Sequence, residues 1–169
     1  TLHAIQLWVN LPRAQKMSAP RYQTILDADI PKVELEGGAG RLRVIAGTAQ
    51  GQKGPAHTVT PIELYDLELV ANRRAELHLT DGHNASLFVV HGLVSTNGSR
   101  DAGEAELFVC RRNGSLVTIE AKSDSRIVIM SGEPIDEPIA RHGPFVMNTK
   151  AELVQAVNDY QAGKMGHLS

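Results

Sequence analysis

Several things are scarce in this chain, and each shortage closes off a class of function. Cys110 is the one cysteine in 169 residues, so no disulfide can form within the chain. That agrees with a reducing compartment and makes a cytoplasmic location the expectation. Cys110 ends the apolar-rich run Ala105-Glu-Leu-Phe-Val-Cys110, where it reads as a small buried hydrophobe rather than a reactive thiol. No apolar run nears the roughly 18 residues of a membrane span, and no basic leader precedes an apolar signal region, so no membrane partner is expected. Charge of one sign is also lacking. The 17 Lys and Arg against 19 Asp and Glu leave a formal net charge of -2 with no block of like charge, so nothing tracks a phosphate backbone and direct nucleic-acid binding is not expected. Aromatic residues make up only 4%, and Trp8 is the sole tryptophan, which makes its surroundings informative.

What is present is a series of short β-rich runs. From Arg41 onward they are Leu42–Ala46, Leu64–Val70, Ala75–Leu79, Ser86–Val94, Ala105–Cys110, Leu116–Ala121 and Arg126–Met130. Asp81-Gly82, Asn97-Gly98, Asn113-Gly114 and Ser123-Asp124 separate several of them, residue types that tolerate positive φ in tight turns. Seven or so strands at this spacing predict a mainly β fold, an antiparallel sandwich or barrel. A further strand is expected over Ile5–Val9, ending at Leu11-Pro12, where proline removes a ladder donor. Arg13 to Leu35, punctuated by Pro20 and Pro31, reads as an extended connector.

One helix is predicted over about 150–162. Thr149-Lys-Ala-Glu152 has capping-box spacing, Leu153, Val154, Ala156, Val157 and Tyr160 recur at threes and fours, and Gly163 supplies a stop. The closest glycine cluster, Gly37-Gly-Ala-Gly40, precedes a strand rather than opening a helix, the wrong context for a phosphate loop. Ser131-Gly132 lacks the glycine-serine-glycine elbow of a hydrolase. Glu133, Asp136 and Glu137 bracket prolines in an extended loop and read as solvated charges.

Two motifs at opposite ends of the chain narrow the reading: Leu7-Trp-Val-Asn-Leu11, and His142-Gly-Pro-Phe-Val-Met-Asn-Thr149. Between them, in order, stand Pro20-Arg-Tyr-Gln23, Ile30-Pro31, Arg43-Val-Ile-Ala-Gly47, Gly54-Pro55, Thr60-Pro61, Tyr65-Asp-Leu67 and Ser131-Gly-Glu-Pro-Ile-Asp-Glu-Pro138. The ordered set resembles the pirin family over nearly the whole chain. That resemblance implies a bicupin, two jelly-roll β-barrels in one protein, with iron or another divalent metal held in the first barrel by histidines and one glutamate. Some members resemble quercetin 2,3-dioxygenases, and some act as nuclear or transcription-associated partners. In the family the Leu-Trp-Val-Asn-Leu segment follows the last metal ligand. The chain is therefore expected to be the C-terminal part, preceded by further sequence, as its start at Thr1 inside a β-like run also suggests. The implied division is 1–40 as the end of the first cupin domain and the linker, 41–131 as the C-terminal barrel and 132–169 as a C-terminal segment carrying the helix. His3 lies beyond the family's ligand region and inherits no metal role.

A metal in the second barrel would need two or three imidazoles and a carboxylate converging inside it. With Gly92 as the glycine that ends the strand, the usual cupin ligand positions fall at His78, Thr80 and Ala85, so one ligand type of three is present. The second cupin motif, around Asn113 to Glu120, holds no histidine. His83 and His91 read as surface or turn histidines, and His142 as a structural hydrogen-bonding group. No catalytic, cofactor or metal residue is therefore expected in this chain. The expected surface is one for the missing N-terminal cupin domain or a protein partner, with self-association a further use: Leu7, Trp8, Val9, Phe145, Met147, Leu153, Val157 and Tyr160. Alternatives are an autonomous protein-binding or scaffold module and a single-barrel metal-dependent oxygenase.

Overall fold

The structure, a computed structural model, describes residues 4–165; His3 lies outside them. The chain divides into two compact units, one spanning Arg21–Pro134 and the other formed from residues up to Pro20 together with those from Ile135 on.

In chain order the larger unit contains β1 (Lys32–Glu34), β2 (Gly40–Ala46), β3 (Thr48–Ala49), β4 (Gln52–Lys53), β5 (Ile62–Leu69), β6 (Arg74–His78) and β7 (Asn84–His91). It continues with β8 (Val94–Thr96), β9 (Asp101–Ala102), β10 (Leu107–Val109), β11 (Leu116–Ala121) and β12 (Ser125–Gly132). A six-stranded sheet runs β1-β2-β5-β12-β7-β10, and a four-stranded sheet runs β6-β11-β8-β9. All pairings are antiparallel.

Alternation explains how the two sheets make one core. Along β5, Tyr65, Leu67 and Leu69 are buried; along β12, Ile127 and Ile129; along β7, Leu87 and Val89. These join Leu77 of β6, Val117 and Ile119 of β11 and Val94 of β8 in a single apolar cluster. A period of two puts such residues on one face of a strand, and each fully buried aliphatic side chain contributes about 1.5–3 kcal/mol through removal from water. The expected run Ser86–Val94 is divided at Gly92, which has φ +93°. A Cβ there would collide with the Ser125 side chain and the Asp124 carbonyl, so glycine is required where β7 ends.

The outer face of the larger sheet carries a buried charge. Asp66 is 3% exposed, yet it receives two hydrogen bonds from Arg126, Nε at 2.9 Å and Nη2 at 2.7 Å, and one from Arg43 at 2.7 Å. Burial pushes its carboxyl up, but the two guanidiniums outweigh that effect and hold it below its ordinary value. The connector expected over Arg13–Leu35 supplies part of this sheet. Its residues Lys32–Glu34 pair with β2, and Val33 and Leu35 pack on the core. Three residues are too few to display a period in the sequence.

The smaller unit contains β13 (Ala140–His142), β14 (Phe145–Met147) and α1 (Lys150–Gln161). The two strands pair as a hairpin. Thr149 caps α1 by accepting from the Glu152 N–H at 3.2 Å, and the Glu152 carboxylate accepts from the Thr149 N–H at 2.8 Å, the capping box expected from the sequence. Gly163, at φ +70°, follows the end of α1. No strand forms over Ile5–Val9. A strand needs a neighbour to satisfy its N–H and C=O groups, and none of the described strands pairs with this segment.

Candidate functional site

Of the three cupin ligand positions, His78 lies on the four-stranded sheet, Thr80 in the loop after it and Ala85 on β7 of the larger sheet. On β6, Ala75 and Leu77 face the core while His78 is exposed on the opposite face. Thr80 gives its hydroxyl to Glu63 Oε1 at 3.0 Å, and Ala85 offers no ligand atom. The three positions do not converge, and among the described residues no group of three or more His, Cys, Asp or Glu is placed to hold a metal ion. A metal at this barrel's usual cupin position does not fit these residues.

A different polar cluster lies close by, and the sequence reading missed it. His83 is 9% exposed, so the surface reading of this turn histidine is corrected. The Asp81-Gly82 turn folds its ring inward, where Nδ1 lies 3.2 Å from Ser131 Oγ. Ser131 Oγ in turn donates to Glu63 Oε2 at 2.6 Å. Glu63 also accepts from the Thr80 N–H, at 3.2 and 3.1 Å to its two oxygens. Nothing in the spacing of Glu63, Thr80, His83 and Ser131 signals this cluster, because β5 and β12 bring together residues 68 apart in sequence.

In front of that cluster lies a cavity of about 510 Å³ lined by His83, Thr96, Phe108, Cys110 and Leu116 among others. Its rim is built from expected turns: the Asp81 carboxylate accepts from the Gly114 N–H at 2.7 Å, tying the Asp81-Gly82 turn to Asn113-Gly114. Cys110 is half-buried, and burial pushes its thiol up, in keeping with the expected unreactive role. Two residues along β5 from Glu63, Tyr65 is fully buried in the core with its hydroxyl donating to the Thr48 carbonyl at 2.8 Å; burial first, then the Glu63 charge, push its ionisation up.

The remaining histidines among the described residues are exposed. His91 is 3.7 Å from Glu104 with both side chains in solvent, as expected of a surface residue. His142 stands at the end of β13, and its ring makes none of the hydrogen bonds found among the described residues, so the expected structural hydrogen bond is not made. Glu137, read as a solvated charge, instead accepts from the Arg13 N–H and from Asn148 Nδ2, both at 2.8 Å.

The smaller unit gathers the residues expected to form a docking surface, in two places. Leu7, Trp8 and Val9 line one groove of about 460 Å³ with Val146 and Met147. Arg13 ties this segment to α1 through Glu152 at 2.7 Å. A second groove, of about 580 Å³, is lined by Ile139 and His142 of the hairpin and by Leu153, Val154 and Val157 of the helix. Phe145 and Tyr160 meet edge to face, centroids 5.9 Å apart. Trp8 is 69% exposed and Tyr160 64%, whereas Leu153 is buried at 9%. Leu153 therefore serves mainly to hold the helix on the hairpin.

A two-sheet antiparallel sandwich of this strand order, with one helix, defines a cupin-type protein. Residues 64–166 match the pirin C-terminal cupin domain, and the chain belongs to the pirin family. It is similar to a Pseudomonas aeruginosa protein named "Putative quercetin 2,3-dioxygenase PA2418", 43% identical over 164 residues that cover 97% of this chain and 57% of the relative. It is also similar to the Mus musculus protein Pirin, 34% identical with 97% and 57% covered. The crystal structure of a quercetin 2,3-dioxygenase from Acinetobacter baumannii superposes with a TM-score of 0.91 at 37% identity, over 96% of this chain and 56% of that one. The chain thus spans little more than half the length of the relatives it matches. Among the described residues no helix is long and apolar enough to cross a membrane.

Proposed function

We propose that this chain acts as the C-terminal cupin portion of a pirin-like bicupin. Its sandwich is the metal-free, non-catalytic half, and its hairpin–helix unit docks on a metal-binding N-terminal barrel. The observation that carries this reading is Trp8, exposed beside Leu7 and Val9 in a groove it shares with Met147. A lone exposed apolar residue is ordinary, but clustered aromatic and aliphatic groups on a soluble protein mark an interaction surface. The names of the relatives support a dioxygenase of the quercetin 2,3-dioxygenase type for the intact protein, with iron or another divalent metal in the first barrel. Cytoplasmic location is part of the same proposal.

Two measurements test it. The coding sequence upstream of Thr1 is expected to encode histidines and a glutamate in a cupin pattern, and a start codon immediately before Thr1 would overturn the bicupin reading. The purified chain is expected to carry no stoichiometric iron, nickel, copper or zinc and to leave flavonols unchanged. Tight binding of any of these metals by residues 1–169 would overturn the assignment of this sandwich as the metal-free half.

A further inference from the structure

The cavity in front of His83 has a hydrogen-bonding polarity that can be read from its supporting groups. The Glu63 carboxylate accepts from the Thr80 N–H, the Thr80 hydroxyl and the Ser131 hydroxyl, which suits an ionised, acceptor-only group. The single Ser131 proton is thereby committed to Glu63. The Ser131 oxygen must then accept from the His83 Nδ1–H, and in the neutral ring this leaves a lone pair on Nε2. His83 lines the cavity and Nε2 has no partner among the described residues, while Glu63 and Ser131 stand behind the ring. With its proton directed to Glu63, Ser131 does not donate to the imidazole as the serine of a hydrolase would.

A second, independent group points the same way. Thr96 on β8 is 4% exposed and lines the same cavity, yet its Oγ1 is buried with no hydrogen-bond partner. Burying a hydroxyl unpaired is unfavourable, and a polar atom brought against it would relieve the cost, although the oxygen itself has almost no accessible surface in the free chain. The walls are mixed: Leu79, Phe108 and Val117 give an apolar part, and Asn97, Ser99 and Asn113 a polar one. No carboxylate lines the cavity to attract a cation; Arg111 lines it with an exposed side chain, and the Glu63 charge behind His83 opposes an anion there. The volume lies within the range of small-molecule sites.

We propose that this cavity binds a small uncharged molecule with an apolar, ring-sized body and a hydroxyl group, which donates to His83 Nε2 and lies within reach of Thr96 Oγ1. None of the residues that line the cavity is among those proposed for docking.

The test uses the full chain, uniformly labelled with ¹⁵N and ¹³C, and NMR titration with cyclohexanol and phenol, with methylcyclohexane and toluene as their hydrocarbon counterparts and benzoate as an anion. The free protein is expected to show His83 as the Nδ1–H tautomer. Both alcohols are expected to move the His83 Nε2 resonance upfield and to shift the Thr96 methyl, binding about tenfold more tightly than the hydrocarbons, the worth of one neutral hydrogen bond. Thr96→Val, which matches the shape and removes the unpaired hydroxyl, is expected to fold normally and to weaken alcohol binding while leaving hydrocarbon binding unchanged. An Nε2–H tautomer, equal binding of alcohols and hydrocarbons, stronger binding of benzoate, or no shift at His83 and Thr96 with any probe would each overturn the proposal.

Discussion

The sandwich and the hairpin–helix unit use apolar residues in opposite ways. In the sandwich, every second residue of the long strands vanishes from solvent, and two sheets cover each other's inner faces. In the smaller unit, α1 buries only Leu153 and Ala156 of its stripe and leaves Val154 and Tyr160 in solvent. Trp8 and Ile139 are each 69% exposed. The sandwich therefore has a continuous core, whereas the smaller unit leaves much of its helix stripe and its Trp8 segment exposed. Stability in this chain should reside in the first, and the apolar surface proposed for docking lies in the second.

Core truncation should break that contrast most strongly. Leu67→Ala, at a fully buried position of β5, is expected to cost about 2–5 kcal/mol in denaturant unfolding, through lost transfer energy and a cavity its neighbours cannot fill. A value near zero would mean the sandwich is not the stable unit.

Next in size is Asp66→Asn, expected to cost about 1–3 kcal/mol at neutral pH because it leaves Arg43 and Arg126 short of a charged acceptor. The fold lowers the Asp66 pKa, so the stability it contributes is fully present above its unfolded value near 4. That stability disappears as pH falls through the lower, folded value. Unfolding measured across that acid range should therefore show the variant and the parent converging. A gap that stays constant would separate the effect from ionisation of Asp66.

Thr149→Ala should have a smaller and more local effect, about 1 kcal/mol, from loss of the side-chain acceptor for the Glu152 N–H. Amide exchange is expected to rise in α1 and not in the strands of the sandwich. Equal loosening of both units would erase the distinction between them.

Smallest in stability is Trp8→Ala, expected within about 0.5 kcal/mol of the parent because the side chain is exposed. Its consequence should appear in binding. Fluorescence of the sole tryptophan is expected at the wavelength of a solvated indole in the isolated chain and shifted to the blue when a first barrel is supplied. A blue-shifted emission from the isolated chain would show that Trp8 is already covered and would remove the main support for docking.

Much of the sandwich is legible from alternation: the runs around Leu42, Leu67, Leu77, Leu87, Ile119 and Ile129 each became a strand with those residues inside. The capping box at Thr149 and the stop at Gly163 were equally legible, because both depend on neighbours within one turn. Reading failed where an element needs a partner distant in sequence. Ile5–Val9 has strand composition but no strand beside it, whereas Lys32–Glu34 lacks a visible pattern and is recruited by β2. The His83 cluster escaped for the same reason, since its meaning depends on Glu63 and Ser131 meeting across β5 and β12.

The order of residues alone determined the family, the mainly β class, the single helix with its ends, and the mismatch between His78, Thr80, Ala85 and a metal-ligand set. These depend on residue type, short-range periodicity and local hydrogen bonding, which a linear chain displays directly. Tertiary structure alone decided that His83 turns inward onto Ser131, that Thr96 is buried without a partner, and that Trp8 stands exposed while Leu153 does not. Burial and hydrogen-bond satisfaction are properties of neighbours, and strand pairing chooses those neighbours from parts of the chain that no local pattern connects.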